Sequence, residues 1–175
     1  MPANQRPGAG EYGDYFGKYV KLVPDGDITD ILRAQGEETA LLLAELSSEQ
    51  AEYRYEPDKW SLKEAIGHLA DTERVMSFRL LCAARGETAP LPGFDQDRFV
   101  TNASFGDQPL LAVAEDYAAV RQATLCLLEG LPEAAWTRQI EANGEKVTAR
   151  AFAYIIAGHE AHHLQVIQDR YLGGK

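Results

Sequence analysis

The stretch KWSLKEAIGHLADTERVMSFRLLCAARG, residues 59–86, limits the possible folds more than any other part of the chain. Ser61 and Glu64 form an S-x-x-E capping box, in which each side chain bonds to the other residue's backbone amide. The apolar residues that follow recur every three or four positions, which predicts one long amphipathic helix. Gly86 is the predicted end of this helix, because glycine readily adopts the left-handed conformation that closes helices.

Three further helices are predicted from similar patterns. One covers about residues 28–46, with Asp27 as its N-cap. Another covers about residues 108–129, with Asp107 as its cap, and the last covers about residues 148–172. Four long helices in 175 residues predict an all-α fold, arranged as a helical bundle.

The connections between these helices differ in length and kind. Residues 87–107 form a long loop, and loops of this length often cross over a bundle or cover a site. Before the last helix, Asn143 and Gly144 are the strongest hairpin signal in the chain. Residues 1–18 are rich in Gly, Pro, Asn and Gln, so we expect a flexible lead-in followed by a single domain over residues 19–175.

Composition excludes several classes of protein. The chain has 27 acidic and 17 basic residues, a net charge of −10, and no Lys/Arg run that could neutralise several phosphates. Nucleic acids and anionic membranes are therefore not expected as partners. Without a secretory leader or a run of 18 apolar residues, the expected location is cytoplasmic. Cys82 and Cys126 lie in apolar helical stretches, so both are expected to be buried, unreactive thiols.

Three of the four histidines occur together in AGHEAHHLQVIQDRY, residues 157–171. Because a helix advances about 100° per residue, His159 and His163 lie one turn apart in the middle of an apolar face. Two imidazoles at this spacing can bind one metal ion together, although hydrogen-bonded core histidines would show the same pattern. His162 lies about 60° to one side, near the edge of that face.

The fourth histidine, His68, belongs to the capped helix and flanks its apolar stripe. Periodicity alone allows it either to line a seam between helices or to face solvent. If it faced the same seam as the histidines of the last helix, three neutral imidazoles would form a metal site. Such a site keeps at least one coordination position open, as catalytic sites do.

Residues 159–163 also satisfy the H-E-x-x-H pattern of zinc peptidases. The longer metzincin form of that pattern requires a glycine where the chain doubles back, and then a third ligand. Here those positions hold Val166 and Asp169. An uninterrupted helix carries Asp169 about 15 Å along its axis from His159, out of reach of a shared metal. The sequence therefore argues against a peptidase.

Three blocks resemble the DinB-like superfamily of bacterial proteins, particularly its YfiT-like branch: RYEPDKWSLKEAIGHLADTERVMSFRLLCAARG, PLPGFDQDRFV and AYIIAGHEAHHLQVIQDRY. The resemblance extends over about residues 19–171. It implies an antiparallel four-helix bundle, commonly a homodimer, with a divalent metal bound by one histidine of the second helix and two of the last. By position the implied ligands are His68, His159 and His163, whereas His162 is not a ligand.

The resemblance also implies a function. Members with known chemistry transfer low-molecular-weight thiols such as mycothiol or bacillithiol, and a maleylpyruvate isomerase is among them. Others have been described as metal-dependent hydrolases. We therefore expect a thiol S-transferase acting on a small-molecule electrophile, with a metal-dependent hydrolase or a non-catalytic, metal-binding stress-response module as alternatives. Zinc or nickel is the expected cofactor, although three imidazoles also suit cobalt.

Several charged residues near the histidines have two interpretations. Glu160 is a candidate acid or base at the rim of the site, although we favour a solvated helix residue. Asp71 and Glu73 could orient imidazoles, but carboxylates on a solvated helix face explain them as well. Three arginines could receive an anionic substrate or simply form ion pairs in an acidic protein: Arg79, Arg121 and Arg170.

Overall fold

The computed structural model describes residues 5–173, in which most residues are helical. These residues contain seven α-helices: α1 (Gly17–Val20), α2 (Ile28–Glu45), α3 (Ser48–Glu52), α4 (Leu62–Arg85), α5 (Gln96–Ala103), α6 (Leu110–Glu129) and α7 (Ala149–Val166). Two short strands, β1 (Gln139–Ala142) and β2 (Glu145–Thr148), pair antiparallel. The four long helices α2, α4, α6 and α7 form the bundle, in which α4 packs against both α6 and α7.

The predicted ends of the capped helix are confirmed. The Ser61 side chain accepts from the backbone amide of Glu64, and the Glu64 side chain accepts from the amide of Ser61 in return. Gly86 closes α4 in the left-handed conformation, with φ of 79°. At the start of α2, Asp27 accepts from the amides of Thr29 and Asp30, as its N-cap position predicts.

The predicted hairpin is also confirmed. Asn143 and Gly144 join β1 to β2 with φ of 54° and 81°, which fits a two-residue turn with both central residues at positive φ. The parallel bridge between Leu91 and Ala142 attaches the hairpin to the segment that follows α4. The hairpin and that segment therefore form one wall beside the bundle.

The predicted start of the third long helix is wrong by two residues. We expected Asp107 as its cap, but α6 begins at Leu110 and Pro109 occupies the N-cap without a side-chain hydrogen bond. A residue before proline is pushed out of helical geometry, and Gln108 is extended accordingly. Asp107 instead ends a short 3-10 turn.

Two other helical predictions need correction. The long loop of residues 87–107 contains α5, whose N-cap Asp95 accepts from the amide of Arg98. The last helix was predicted as uninterrupted to residue 172, but α7 ends at Val166 and continues as a π-helical turn over Ile167–Leu172. The hydroxyl of Tyr171 in that turn donates to the carbonyl of Trp60, at 2.8 Å.

The two cysteines are less buried than predicted. Cys82 is half-buried and Cys126 is exposed, so the expectation of two core thiols is wrong for Cys126. On α6 the core-facing residues are Leu125 and Leu128. Cys126 is about 100° round the helix from Leu125, which turns it toward solvent.

Residues 5–18, which the sequence assigned to a flexible lead-in, contact the bundle. The Arg6 guanidinium donates to the carbonyl of Val20 at 2.7 Å, and Glu11 accepts from Arg150 at the start of α7. The domain boundary at residue 19 stays a prediction. Among the helices of residues 5–173, none combines the length and apolar character needed to span a bilayer.

Candidate metal centre

Three histidines meet where α4 packs against α7. One ring nitrogen each of His68, His159 and His163 lies within 4.8 Å of the others. Nε2 of His68 is 3.2 Å from Nε2 of His159, and the three ring centroids are 4.5–5.0 Å apart. The structure thus places His68 in the seam between helices, the alternative that periodicity left open. We call these three residues the histidine cluster.

Burial keeps the histidine cluster neutral. His68 and His159 are only 2% and 8% exposed. Loss of water lowers the pKa of His68 to about 4 and that of His163 to about 3. Burial also lowers the pKa of His159 well below its ordinary value. All three imidazoles are therefore unprotonated near pH 7, which is the state that binds a metal.

A divalent metal fits the spacing of the cluster. Two imidazole nitrogens bound about 2.0–2.1 Å from a tetrahedral ion are roughly 3.3–3.4 Å apart. The 3.2 Å between the Nε2 atoms of His68 and His159 is close to that separation. In the described part of the chain no fourth His, Cys, Asp or Glu joins the cluster, so its residues supply three ligands at most.

Thr72 supports the histidine cluster and was not predicted. Its hydroxyl lies 3.3 Å from Nδ1 of His68, so the other ring nitrogen is turned toward α7. The sequence did contain a signal for this contact. Thr72 follows His68 by four residues, and residues at that spacing are neighbours on one helix face. The ring of Trp60 packs against this imidazole, with ring centroids 4.7 Å apart.

Asp71 does not orient an imidazole. Its carboxylate pairs with Arg74 on the same helix, at 3.3 Å, although burial raises its pKa. His162 lies outside the histidine cluster at its edge, half-buried, with its ring 5.3 Å from that of His163. Its exclusion from the ligand set stays a prediction, as do the ligand roles of the three clustered histidines.

The interpretation of Glu160 and Glu73 as solvated residues is wrong. Glu160 is 2% exposed and accepts from the hydroxyls of Thr39 and Tyr117 and from the guanidinium of Arg121. Glu73 is 4% exposed and accepts from the same guanidinium, through bonds of 2.8 and 2.9 Å. Polar partners from other helices satisfy both carboxylates, which periodicity on a single helix cannot reveal. Arg121 therefore serves an internal ion-pair network.

Two cavities large enough for a small molecule reach the histidine cluster among the residues that the structure describes. The first has a volume of about 400 Å³, and residues of α4, the segment after it, the hairpin and the N-terminal segment line it. His159 faces this cavity, together with Tyr19, Thr72, Met76, Arg79 and Phe94. The second has a volume of about 530 Å³, and His163 faces it together with Tyr55, Trp60, His162 and Tyr171. We call them the His159 cavity and the His163 cavity.

The remaining two arginines differ in position. Arg79 is 4% exposed and lines the His159 cavity. Arg170 is exposed and lines, together with His162, a neighbouring pocket that includes no residue of the histidine cluster. Only Arg79 therefore lies in a wall shared with the histidine cluster.

A helical bundle with three converging, neutral histidines defines the class of protein: a four-helix-bundle protein with a candidate metal site open to cavities. A family model described as the DinB superfamily matches residues 31–167. The chain therefore belongs to the DinB superfamily, as the sequence blocks predicted.

The similar proteins agree with this assignment. OB0413 of Oceanobacillus iheyensis, named as a candidate metal-dependent hydrolase, is 26% identical over 138 residues, which are 70% of this chain and 71% of that protein. The structure of YfiT from Bacillus subtilis, a candidate metal-dependent hydrolase with an unusual four-helix bundle topology, has a TM-score of 0.66 at 14% identity. The structural match covers 97% of this chain and 95% of the YfiT chain.

A second solved structure shares the fold. The mycothiol-dependent maleylpyruvate isomerase has a TM-score of 0.64 at 16% identity, over 78% of this chain. This chain spans 58% of the isomerase. At these identities the two solved structures bear on the fold alone.

Proposed function

We propose that this protein is a metal-dependent enzyme that transfers a low-molecular-weight thiol to a small-molecule electrophile at the histidine cluster. The supporting observation is that two separate cavities reach the cluster, one beside His159 and the other beside His163. A transfer reaction needs room for two organic substrates, whereas hydrolysis needs room for one and a water. In this proposal each substrate occupies one cavity.

His68, His159 and His163 are the proposed ligands of a zinc or nickel ion, and His162 is not. When bound, such an ion supplies Lewis acidity that lowers the pKa of a thiol or water beside it. With three neutral imidazoles as its ligands, such an ion would keep its full positive charge, which would favour a thiolate over a thiol. In a substitution on an aryl chloride, the S–H bond breaks and its proton passes to solvent. Sulfur forms the new bond to the electrophilic carbon, and the carbon–chlorine bond breaks with release of chloride.

Other residues of the chain hold the reacting groups in place. Thr72 fixes the ring of His68 through Nδ1. The ring of Tyr19 packs edge-on against His159, with centroids 5.4 Å apart, and faces the His159 cavity. Burial raises the pKa of Tyr19, so its hydroxyl keeps its proton and can donate to a substrate. Glu160 has no acid–base role in the proposal because Arg121, Thr39 and Tyr117 hold its carboxylate.

A metal-dependent hydrolase is the second candidate, because the cluster has three ligands and opens to cavities that admit water. A non-catalytic, metal-binding stress-response module would instead be expected to have a closed, four-ligand site. We further propose that the chain forms a homodimer in the cytoplasm and that its bundle is antiparallel, with residues 87–107 as the crossover. Light scattering of the purified protein measures the oligomeric state.

The metal site is tested by elemental analysis of purified protein. We expect about one zinc or nickel per chain in the wild type and in His162→Ala, the matched control from the same helix. His68→Ala and His163→Ala should each lose most of the metal, because two ligands bind less tightly than three. Metal content unchanged in both variants would refute the three-ligand site.

The reaction is tested with bacillithiol or mycothiol and 1-chloro-2,4-dinitrobenzene as the electrophile, followed by absorbance of the thioether. Metal-loaded wild type should form the adduct faster than chelator-treated protein or His163→Ala. If the protein hydrolyses a nitrophenyl ester but shows no thiol-dependent turnover, the transferase proposal is refuted and the hydrolase is supported. Metal binding with neither activity would favour the non-catalytic module.

A further inference from the structure

Arg79 is a buried cation without an acidic partner among residues 5–173. Its guanidinium donates to the carbonyl of Pro92 at 2.6 Å and lies 3.8 Å from the sulfur of Met76. The ion pairs of residues 5–173 do not include it, whereas the other deeply buried arginine, Arg121, is paired with two carboxylates. Burial lowers the pKa of Arg79, and arginine nevertheless keeps its charge in proteins.

A buried charge without a counterion costs stability, so it calls for an explanation. The acidic side chain that shares the His159 cavity with Arg79 is Glu145. Glu145 is exposed and packs over Gly13, outside ion-pair distance of the guanidinium. The charge of Arg79 thus faces a cavity in which the described part of the chain supplies no paired anion.

The rest of the His159 cavity is suited to an apolar body. Phe16, Met76, Phe94 and Ile155 line it. From Thr72, beside the histidine cluster, to Arg79 the cavity follows seven residues of α4, or about 10 Å. A volume of about 400 Å³ is within the range of small-molecule sites. The cavity therefore has apolar walls, the candidate metal site at one end and a cation at the other.

We propose that Arg79 binds the carboxylate of a small organic acid whose flat apolar body lies in the His159 cavity with its far end at the histidine cluster. The planar guanidinium matches a carboxylate through two parallel hydrogen bonds, which favours this group over a neutral amide. The assignment of this acid as the electrophile of a thiol transfer rests on the proposed function. The binding of the carboxylate does not.

Calorimetric titration with trans-cinnamate and with cinnamamide, a neutral probe of nearly the same shape, tests the proposal. Both probes are measured on metal-loaded and on chelator-treated protein. Wild type should bind cinnamate at least tenfold more tightly than cinnamamide in both forms. Arg79→Gln should lose this preference, and Arg79→Lys should keep part of it, because it retains the charge but not the planar fork.

Arg85→Gln is the matched control, because Arg85 lies on the same helix and is exposed. It should bind cinnamate as the wild type does. The proposal is overturned if wild type shows no preference for cinnamate. It is equally overturned if cinnamate binds only to metal-loaded protein and binds Arg79→Gln unchanged, since the carboxylate would then coordinate the metal. The wild-type comparison stands even if Arg79→Gln does not fold.

Steady-state kinetics with a charged and a neutral electrophile distinguish this proposal from the proposed function. With 4-chloro-3-nitrobenzoate as electrophile, Arg79→Gln should raise KM at least tenfold with little change in kcat. With neutral 1-chloro-2,4-dinitrobenzene it should change neither. Carboxylate binding at Arg79 without any thiol transfer would refute the transferase alone, and thiol transfer that ignores Arg79 with both electrophiles would refute the carboxylate site alone.

Discussion

Replacing Arg121 by methionine should remove a large part of the stability of the protein. Arg121 is 3% exposed, and its guanidinium binds Glu73 from α4, Glu160 from α7 and the carbonyl of Leu32 from α2. Four long helices therefore depend on one side chain of α6. Methionine has a similar length, so the change removes the charge and the hydrogen bonds while keeping most of the volume.

The expected loss follows from the partners left behind. Breaking one buried ion pair by removing a partner costs about 3–5 kcal/mol, because the other charge stays buried without compensation. Arg121→Met leaves two carboxylates in that condition, so we expect a loss at the upper end of that range, about 4–5 kcal/mol. For a chain of this length, each 1 kcal/mol lowers the melting temperature by about 2–4 °C, which predicts a decrease of about 8–20 °C.

Urea unfolding followed by far-UV circular dichroism measures this loss, with chelator present so that metal binding does not contribute. The control is Arg33→Met, because Arg33 pairs with Glu129 at 2.6 Å across the same helices α2 and α6, yet both side chains are about half exposed. That exposed pair should contribute little to stability, because solvent screens the two charges. Equal losses in the two variants, or a loss below about 1 kcal/mol in Arg121→Met, would refute the reasoning.

A double variant tests whether part of the stability lost in Arg121→Met returns when one of the unpaired carboxylates is also removed. Adding Glu160→Gln to Arg121→Met removes one of the two uncompensated charges while keeping a group that accepts from Thr39 and Tyr117. The combined loss of unfolding free energy should be smaller than the sum of the single losses, by about 1–3 kcal/mol. Additive losses would show that Glu160 and Arg121 are not coupled.

Two further substitutions test the surroundings of the histidine cluster. Thr72→Val removes the hydroxyl that lies 3.3 Å from Nδ1 of His68. It should weaken zinc binding about tenfold and change the melting temperature little. Competition with a chromophoric chelator measures the zinc affinity. Unchanged zinc affinity would mean that the hydroxyl does not position the ring. Gly158→Ala should lower the unfolding free energy by about 1–3 kcal/mol, because the added methyl would lie 2.1 Å from the backbone carbonyl oxygen of Tyr19. Gly10→Ala, with nothing within 4 Å, is its control, and equal stability of the two variants in urea would contradict the close approach.

Some corrections to the sequence-based fold have local causes. The start of α6 was predicted two residues early because Asp107 is a good capping residue, yet Pro109 forces the residue before it out of the helix. Short helices such as α5 are hard to predict, because eight residues have little intrinsic helical stability and depend on packing. Cys126 lies in an apolar stretch of the sequence, but the bundle buries only one side of α6.

Features that depend on neighbouring residues in the chain were determined by the sequence alone. The capping box of Ser61 and Glu64, the closing Gly86 and the turn at Asn143 and Gly144 use bonds and dihedral angles within a few residues. The placement of His159 and His163 on one helix face follows from their spacing of four in the same way.

Only the tertiary structure decided how groups far apart in the sequence meet. His68 flanks the apolar stripe of α4, so packing against α7 decided that it faces His159, 91 residues away. Glu160 is buried because Arg121, 39 residues away, supplies its counterion. Helical periodicity gives the direction of a side chain relative to its own helix, whereas its burial and its partners depend on the helices packed against it.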